Sequence, residues 1–318
     1  MDNNEKFIIL SDGTIYDGIG FGSDKEVFGE IVFNTSMTGY QEMLTDPSYR
    51  GQILVSTYPM IGNYGIDNNF SESKRIQVKS YVVRDLCDYP FHFSNDKDLN
   101  KFLTENEIPG IHSVDTRSLT RKIRKFGSKM AIVTSNPDIN TALDKINNFG
   151  SYEDNNYVDQ VSVKSIESYE AKQSHLKIAL IDFGVKKNII RILNSRGCDV
   201  EVYPWDFDFN DLDLNKFDGI VMSPGPGDPK TLLNDIKGIK KSIENIPTLG
   251  ICLGHQIIAH IYGGETFKLL FGHRGGNQPV KEIISGRVYP TSQNHGYAVS
   301  DKNFPSDLEI THININDN

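Results

Sequence analysis

The stretch Leu249-Gly250-Ile251-Cys252-Leu253-Gly254-His255-Gln256 places a cysteine between two apolar runs of different period. Residues 247–251 predict a short buried strand. The apolar residues that follow repeat at the spacing of one helix face: Leu253, Ile257, Ile258 and Ile261. At a strand-to-helix turn the helix dipole favours a thiolate, and the flanking glycines allow a sharp turn with space for a substrate. The pattern therefore favours a nucleophilic Cys252 over a buried core cysteine.

Strand and helix patterns alternate through residues 176–318. The predicted strands lie at 177–182, 199–203 and 217–222, and the predicted helices at 186–196 and 230–244. This alternation predicts an α/β domain with a doubly wound, mostly parallel sheet that helices cover on both faces. Ligands bind such sheets beyond the carboxyl ends of the strands, so Cys252 and the loop at 223–229 are predicted to meet at that edge.

The loop Ser223-Pro224-Gly225-Pro226-Gly227-Asp228-Pro229 combines prolines that stiffen it with glycines that let a ligand approach closely. Its backbone N–H groups, together with that of Leu253, are candidates for stabilising an oxyanion. A plain surface turn explains the isolated motif equally well. The loop lacks the lysine pattern of a P-loop, which argues against nucleotide binding here.

The first half of the chain has a different pattern. Residues 1–150 are dominated by short strand patterns, with helical patterns at 97–106 and 116–126, and they predict a separate α+β domain. Residues 151–175 are polar and weakly periodic, which is typical of a linker. We therefore expect an N-terminal domain at 1–150, a linker at 151–175 and a C-terminal α/β domain at 176–318.

Composition argues against several classes of protein. The chain has 33 basic and 42 acidic residues and a net charge of −9, which gives no electrostatic footprint for nucleic acid or an anionic membrane. No apolar run approaches the length of a membrane span, and the polar N-terminus does not resemble a signal peptide. Three cysteines without C-x-x-C spacing fit a reducing cytosol and argue against a disulfide scaffold or a zinc site.

Two polar, glycine-rich loops contain histidines that are candidates for the general base of Cys252. These loops lie at 271–277 and 292–297 and carry His273 and His295. Spacing does not choose between these two and His312. Any single histidine of this kind more often positions structure or substrate than acts as a base.

Several motifs together resemble a known family. The segments 224–229 and 250–256 resemble those of the class I (triad) glutamine amidotransferases. Further segments look like those of the small chain of carbamoyl phosphate synthetase: 33–42, 44–49, 58–65, 115–117, 182–188, 271–277 and 293–297. The resemblance runs in one register from the N-terminus to about residue 316.

This resemblance implies a glutaminase subunit. Cys252 would attack the side-chain amide of glutamine and form a thioester, which water would cleave to glutamate. The ammonia would pass to a large chain that binds ATP and Mg²⁺ and makes carbamoyl phosphate for arginine and pyrimidine synthesis. The resemblance thus implies a cytoplasmic heterodimer whose small chain carries no cofactor and no metal. From its charge and composition, we expect the chain to bind neither nucleic acid nor membrane.

The resemblance also implies a set of substrate contacts. By position, the residues that match the family's glutamine contacts are Ser48, Gly225, Gly227, Leu253, Gln256, Asn294, Gly296 and Tyr297. Gln256 lies one helical turn beyond Cys252 and can face the same pocket. Ser48 and Asn294 offer the donors and acceptors that an α-amino acid needs. In the family, the histidine at the position of His295 belongs to the substrate loop and is not the base.

One motif of the family is missing. The family takes its base and orienting acid from a His-Pro-Glu motif near the C-terminus, and none of the eight histidines here is followed two residues later by glutamate. We therefore expect a chain truncated at the C-terminus, without the triad His and Glu and without the end of its amidotransferase domain. Cys252 would lack the partner that protonates ammonia and activates water, so the 318-residue chain is expected to be inactive alone.

Two other functions stay open on the sequence. A truncated, non-catalytic chain would bind glutamine or act only as an assembly subunit. Another class I amidotransferase, such as the glutaminase of anthranilate or guanylate synthase, would share the pattern of residues 176–318. Those glutaminase domains lack an N-terminal extension of this length, which argues against that function.

Overall fold

The computed structural model describes residues 4–317. The chain forms two compact units. The first comprises Met1–Asp154, Leu270–Asn294 and Thr311–Asn318, and the second comprises Asn155–Leu269 and His295–Ile310. Two long strands each contain residues of both units. Along the strand at 266–282 the chain passes from the second unit to the first, and along the strand at 288–299 it passes back.

The first unit is built on a closed barrel. The strands up to residue 134 are β1 Glu5–Leu10, β2 Ile15–Gly22, β3 Val27–Asn34, β4 Gln52–Ser56, β5 Met60–Ile61, β6 Ser80–Val82, β7 Asp85–Leu86, β8 Pro109–His112 and β9 Lys129–Thr134. Seven of them close in the order β1-β2-β8-β6-β4-β3-β9, and β5 pairs with β7 separately. The pairs of β4 with β3 and β6 are parallel, whereas those of β1 with β2 and β9 are antiparallel.

Four helices cover this barrel: α1 Tyr40–Thr45, α2 Leu99–Glu105, α3 Thr116–Phe126 and α4 Ile139–Phe149. Alternate residues of one strand enter different apolar clusters. Ile8 lies in a cluster that includes Leu119 of α3, whereas its neighbour Ile9 packs in a cluster that includes Ile146 of α4. Strands buried on both faces explain the nearly continuous apolar run at 7–10.

The second unit contains the predicted doubly wound sheet. Its strands are β10 Glu167–Tyr169, β11 Leu176–Asp182, β12 Cys198–Pro204, β13 Gly219–Met222 and β14 Thr248–Gly250, in the order β10-β12-β11-β13-β14. All neighbours are parallel except β10, which runs antiparallel to β12. The helices are α5 Val158–Val161, α6 Lys187–Ser195, α7 Ile239–Asn245 and α8 Leu253–Ile261. Within residues 4–317, no helix has both the length and the apolarity to cross a bilayer.

The remaining strands are β15 Thr266–Glu282, β16 Val288–Val299 and β17 His312–Asn314, which form a sheet in the order β16-β15-β17. Three details of the sequence analysis were wrong. The strand predicted to be buried at 247–251 is β14, an edge strand whose Leu249 is 58% exposed. The predicted linker contains α5 and the edge strand β10, which the backbone pairing with β12 stabilises despite its polar composition. The helix predicted at 230–244 begins only at Ile239, because Gly238 adopts a left-handed conformation with φ 73° just before it.

Candidate active site

Cys252 lies on a sharp turn between β14 and α8. Its backbone has φ 53° and ψ −107°, a region that side-chain-bearing residues rarely occupy and that costs about 1–3 kcal/mol. The end of the neighbouring strand β13 holds the turn on both sides. The N–H of Ile251 donates to the carbonyl of Met222 at 2.9 Å, and the N–H of Gly254 donates to that of Ser223 at 3.1 Å. The surrounding backbone thus fixes a strained conformation at the predicted nucleophile.

The glycines on either side of Cys252 allow close packing. A Cβ on Gly254 would lie 2.3 Å from the carbonyl oxygen of Met222. A Cβ on Gly250 would lie 2.7 Å from the backbone nitrogen of His255. Both positions therefore require glycine for a close approach to backbone, which is how α8 starts directly against the end of β13.

The loop after β13 meets the start of α8, as the strand order predicts. A Cβ on Gly225 would lie 2.2 Å from the carbonyl oxygen of Phe183 and 2.8 Å from Cδ2 of Leu253. Gly227 has φ 90°, and no heavy atom lies within 4 Å of the position of its missing Cβ. As the first residue of α8, Leu253 has no carbonyl one turn earlier in the helix to accept its N–H. The backbone around the turn can therefore present N–H groups to an anion.

Gln256 and the segment at 295–297 meet through one carbonyl. The side-chain Nε2 of Gln256 donates to the backbone oxygen of Tyr297 at 2.7 Å. Nδ1 of His295 also lies 2.7 Å from that oxygen, so Nδ1 carries a proton and donates it. Gln256 and Tyr297 are both buried. These bonds fix the predicted substrate loop, which includes Gly296, against α8 within the second unit.

The first unit brings together the other two predicted substrate contacts. Oδ1 of Asp46 accepts the backbone N–H of Ser48 at 3.0 Å, and Oδ2 accepts Nδ2 of Asn294 at 2.9 Å. Asp46 is buried and was missed by the sequence analysis. The signal that could have found it is the Asp-Pro-Ser order, which is typical of a residue that caps a following helical turn.

The predicted site residues thus form two groups. Those in the second unit are Cys252, Gly225, Gly227, Leu253, Gln256, Gly296 and Tyr297, and those in the first are Ser48 and Asn294.

The three candidate histidines lie in different environments. His273 is buried in the first unit, with Nε2 2.8 Å from Oδ2 of Asp317 and Nδ1 3.2 Å from Nδ2 of Asn314. His312 is exposed, and its Nδ1 lies 3.0 Å from the hydroxyl of Thr311. Among the residues that the structure describes, no group of three or more His, Cys, Asp and Glu side chains is placed to hold a metal ion.

Comparison with known proteins identifies the family. The model of the carbamoyl-phosphate synthase small chain, CPSase domain, matches residues 8–133, and that of the class I glutamine amidotransferases matches residues 179–318. The chain is 47% identical over 313 residues to the carbamoyl phosphate synthase small chain of Clostridium perfringens, covering 98% of this chain and 87% of that protein. The chain belongs to the carbamoyl phosphate synthase small chain family.

A second relative in the carbamoyl phosphate synthase small chain family gives the same result. The protein from Methanocaldococcus jannaschii is 46% identical over 318 residues, covering 98% of this chain and 88% of its own length. A solved glutamine amidotransferase from Thermotoga maritima overlaps 44% of this chain and 67% of its own at 17% identity, with a TM-score of 0.34. A TM-score this low does not establish the fold, which we assign from the observed strand order.

The family match at residues 8–133 also excludes one of the alternative functions that the sequence left open. A carbamoyl phosphate synthase small-chain domain precedes the amidotransferase domain, so the glutaminase of anthranilate or guanylate synthase is excluded. The mixed α/β architecture and the amidotransferase identity predicted from the sequence are confirmed.

Proposed function

We propose that this chain hydrolyses glutamine to glutamate and ammonia through a thioester on Cys252. The observation that carries this proposal is the strained backbone of Cys252 at φ 53°, held between the end of β13 and the start of α8. Strain of this kind persists only where the surrounding structure maintains it, and it is concentrated at functional sites. The turn also places the sulfur at the first turn of a helix, where a thiolate is favoured.

The proposed reaction has two steps. The thiolate attacks the side-chain amide carbon of glutamine, the C–N bond breaks, and ammonia leaves with the proton that the thiol gave up, which the histidine of the family's His-Pro-Glu motif would carry. Water then attacks the thioester, and glutamate and the thiol are released. The N–H groups of Leu253 and of the loop at Gly225 and Gly227 stabilise the oxyanion in both steps.

Each unit holds candidates for contacts with the amino acid. In the second unit, these candidates are Gln256, Gly296 and Tyr297. Ser48 and Asn294 supply donors and acceptors for the α-amino and α-carboxylate groups, and Asp46 positions both of them through its two carboxylate oxygens.

The family membership supports a partner for this chain. A small chain implies a large chain, and we propose that the large chain binds ATP and Mg²⁺ and uses the ammonia to make carbamoyl phosphate for arginine and pyrimidine synthesis. The two chains would form a heterodimer in the cytoplasm, and this chain would need no cofactor of its own.

The intermediate provides a direct test. After a small chain extended by the family's His-Pro-Glu segment is incubated with glutamine and quenched with acid, we expect mass spectrometry to find a γ-glutamyl group on the peptide that contains Cys252. The peptides of Cys87 and Cys198 serve as internal controls, since both cysteines lie outside the turn. Adducts on those peptides instead, or on none of the three, would contradict the assignment of Cys252.

A second candidate function follows from the histidines. None of the eight is followed two residues later by glutamate, so these 318 residues hold no copy of the family's His-Pro-Glu motif. A chain of this composition would bind glutamine without turning it over. Loss of the histidine of a triad can cost on the order of 10⁶ in kcat. We therefore expect a polypeptide of these 318 residues to release ammonia no faster than its Cys252→Ala variant, and brisk turnover in a glutamate-release assay would show that a histidine present here completes the site.

The role of His295 is tested by its replacement with asparagine. Because Nδ1 of His295 donates to the carbonyl of Tyr297, the imidazole orders the proposed substrate loop. In a chain extended by the family's His-Pro-Glu segment, we expect His295→Asn to raise KM for glutamine more than it lowers kcat, as for a residue that contributes uniform binding. Steady-state kinetics with an exposed control, His312→Asn, separates the two effects. A collapse of kcat at unchanged KM would make His295 the base.

A further inference from the structure

A cleft in the first unit, distant in sequence from Cys252, has an unusual distribution of charge. Its volume is ≈ 980 Å³, and α3 forms one wall with Arg117, Arg121 and Arg124. These residues are spaced four and three apart, so they share one face of the helix. The opposite face of α3 is apolar, with Leu119 and Ile123 fully buried in the barrel core.

The three guanidinium groups have no paired carboxylate within the part of the chain that the structure describes. All three side chains are exposed, and among residues 4–317 no ion pair involves any of them. The neighbouring lysines differ, because Lys122 and Lys129 both contact Oδ2 of Asp12, at 3.1 and 3.2 Å. Like charges three and four residues apart destabilise a helix, so this arrangement lowers the stability of α3. The described structure shows no ion pair that compensates for this loss.

The rest of the cleft adds polar groups and little negative charge. Thr57, Asn277 and Gln278 line it with a hydroxyl and two amides. Asp317 is its one carboxylate among the lining residues that the structure describes, and Oδ2 of Asp317 lies 2.8 Å from Nε2 of His273. In a chain with a net charge of −9, the cleft is therefore a local region of positive potential.

We propose that this cleft binds a small polyanion that carries phosphate groups. Arginine is the side chain best suited to such a ligand, because its planar guanidinium makes two parallel hydrogen bonds to phosphate and stays charged at every physiological pH. A row of three guanidinium groups matches a ligand with more than one phosphate. The volume of the cleft is in the range of pockets that hold small molecules.

Isothermal titration calorimetry of the full chain with inorganic pyrophosphate tests the site. We expect saturable binding, and we expect Arg121→Gln to raise the dissociation constant about tenfold or more, since it removes the central charge-assisted contact. Arg121→Lys keeps the charge but loses the fork geometry, so its binding should be intermediate. Lys125→Gln is the matched control, because Lys125 is exposed on the same helix but does not line the cleft.

The variants should fold normally, since Arg121 is exposed and makes no ion pair among the described residues; circular dichroism and an unchanged melting temperature without ligand verify this. Two results would overturn the proposal. One is the absence of saturable pyrophosphate binding, which would leave the arginines to contact an acidic protein surface instead. The other is an equal loss of affinity in Arg121→Gln and Lys125→Gln, which would indicate diffuse attraction to a basic helix and no defined site.

Discussion

Glutamine-dependent synthesis of carbamoyl phosphate is expected to disappear when Cys252 is replaced by alanine, while ammonia-dependent synthesis continues. The test uses the complex with the large chain and a small chain extended by the family's His-Pro-Glu segment. Removal of a nucleophile from a triad that acts as a unit lowers kcat by on the order of 10⁶. Ammonia supplied from solution bypasses the thioester, so the chemistry of the large chain should be unaffected.

The alanine variant removes the thiol without changing the backbone strain, because alanine keeps the Cβ atom. The positive φ of residue 252 is then equally strained in both proteins, and their melting temperatures should agree. Cys198→Ala is the control for loss of a thiol, since Cys198 is buried in β12 away from the turn. Residual glutaminase activity within about tenfold of the parent chain would rule out Cys252 as the nucleophile.

The sheet of the second unit could be predicted because its determinants are local. The strands β11, β12 and β13 and the helix α6 lie within a few residues of their predicted positions. Each is a short run with a clear period, and parallel order follows from strand–helix alternation. The turn at Cys252 was predicted for the same reason, since its strand, glycines and helix are consecutive in the chain.

The barrel of the first unit could not be predicted in this way. Its closure depends on the pairing of β1 with β9, in which Ile8 lies opposite Val133. Local periodicity shows that such strands exist but not which of them are neighbours. The sequence therefore predicted an α+β domain with its own core, which is correct, without the closed seven-stranded order.

Asp46 illustrates the same limit at the proposed site. Its role depends on contacts with a residue two positions away and with Asn294, in a distant loop. The first contact has a recognisable local pattern, whereas the second exists only in the folded unit. The arginine row of α3 is an intermediate case, because its spacing is visible in the sequence but the cleft beside it is not.

The largest effect on stability near the proposed site is expected for Gly254→Ala. In an exposed helix this change stabilises by about 1 kcal/mol, because alanine is the better helix former. Here the new Cβ would lie 2.3 Å from the carbonyl oxygen of Met222, which belongs to the backbone and has no rotamer to change. Overpacking of this kind costs about 1–3 kcal/mol, so the expected sign is reversed.

The same substitution should also lower glutaminase activity. To accept the Cβ, the start of α8 must move away from β13, and Cys252 and the N–H of Leu253 must move with it. A displacement of about 1 Å in a catalytic group can cost about 10² in rate. Denaturant unfolding, and glutaminase assays in the chain extended by the His-Pro-Glu segment, should therefore both show a loss for Gly254→Ala. Gly276→Ala is the matched control, since no heavy atom lies within 4 Å of its missing Cβ and its stability should change by less than about 0.5 kcal/mol. If Gly254→Ala were as stable and as active as the parent chain, close packing of α8 on β13 would not be what positions the nucleophile.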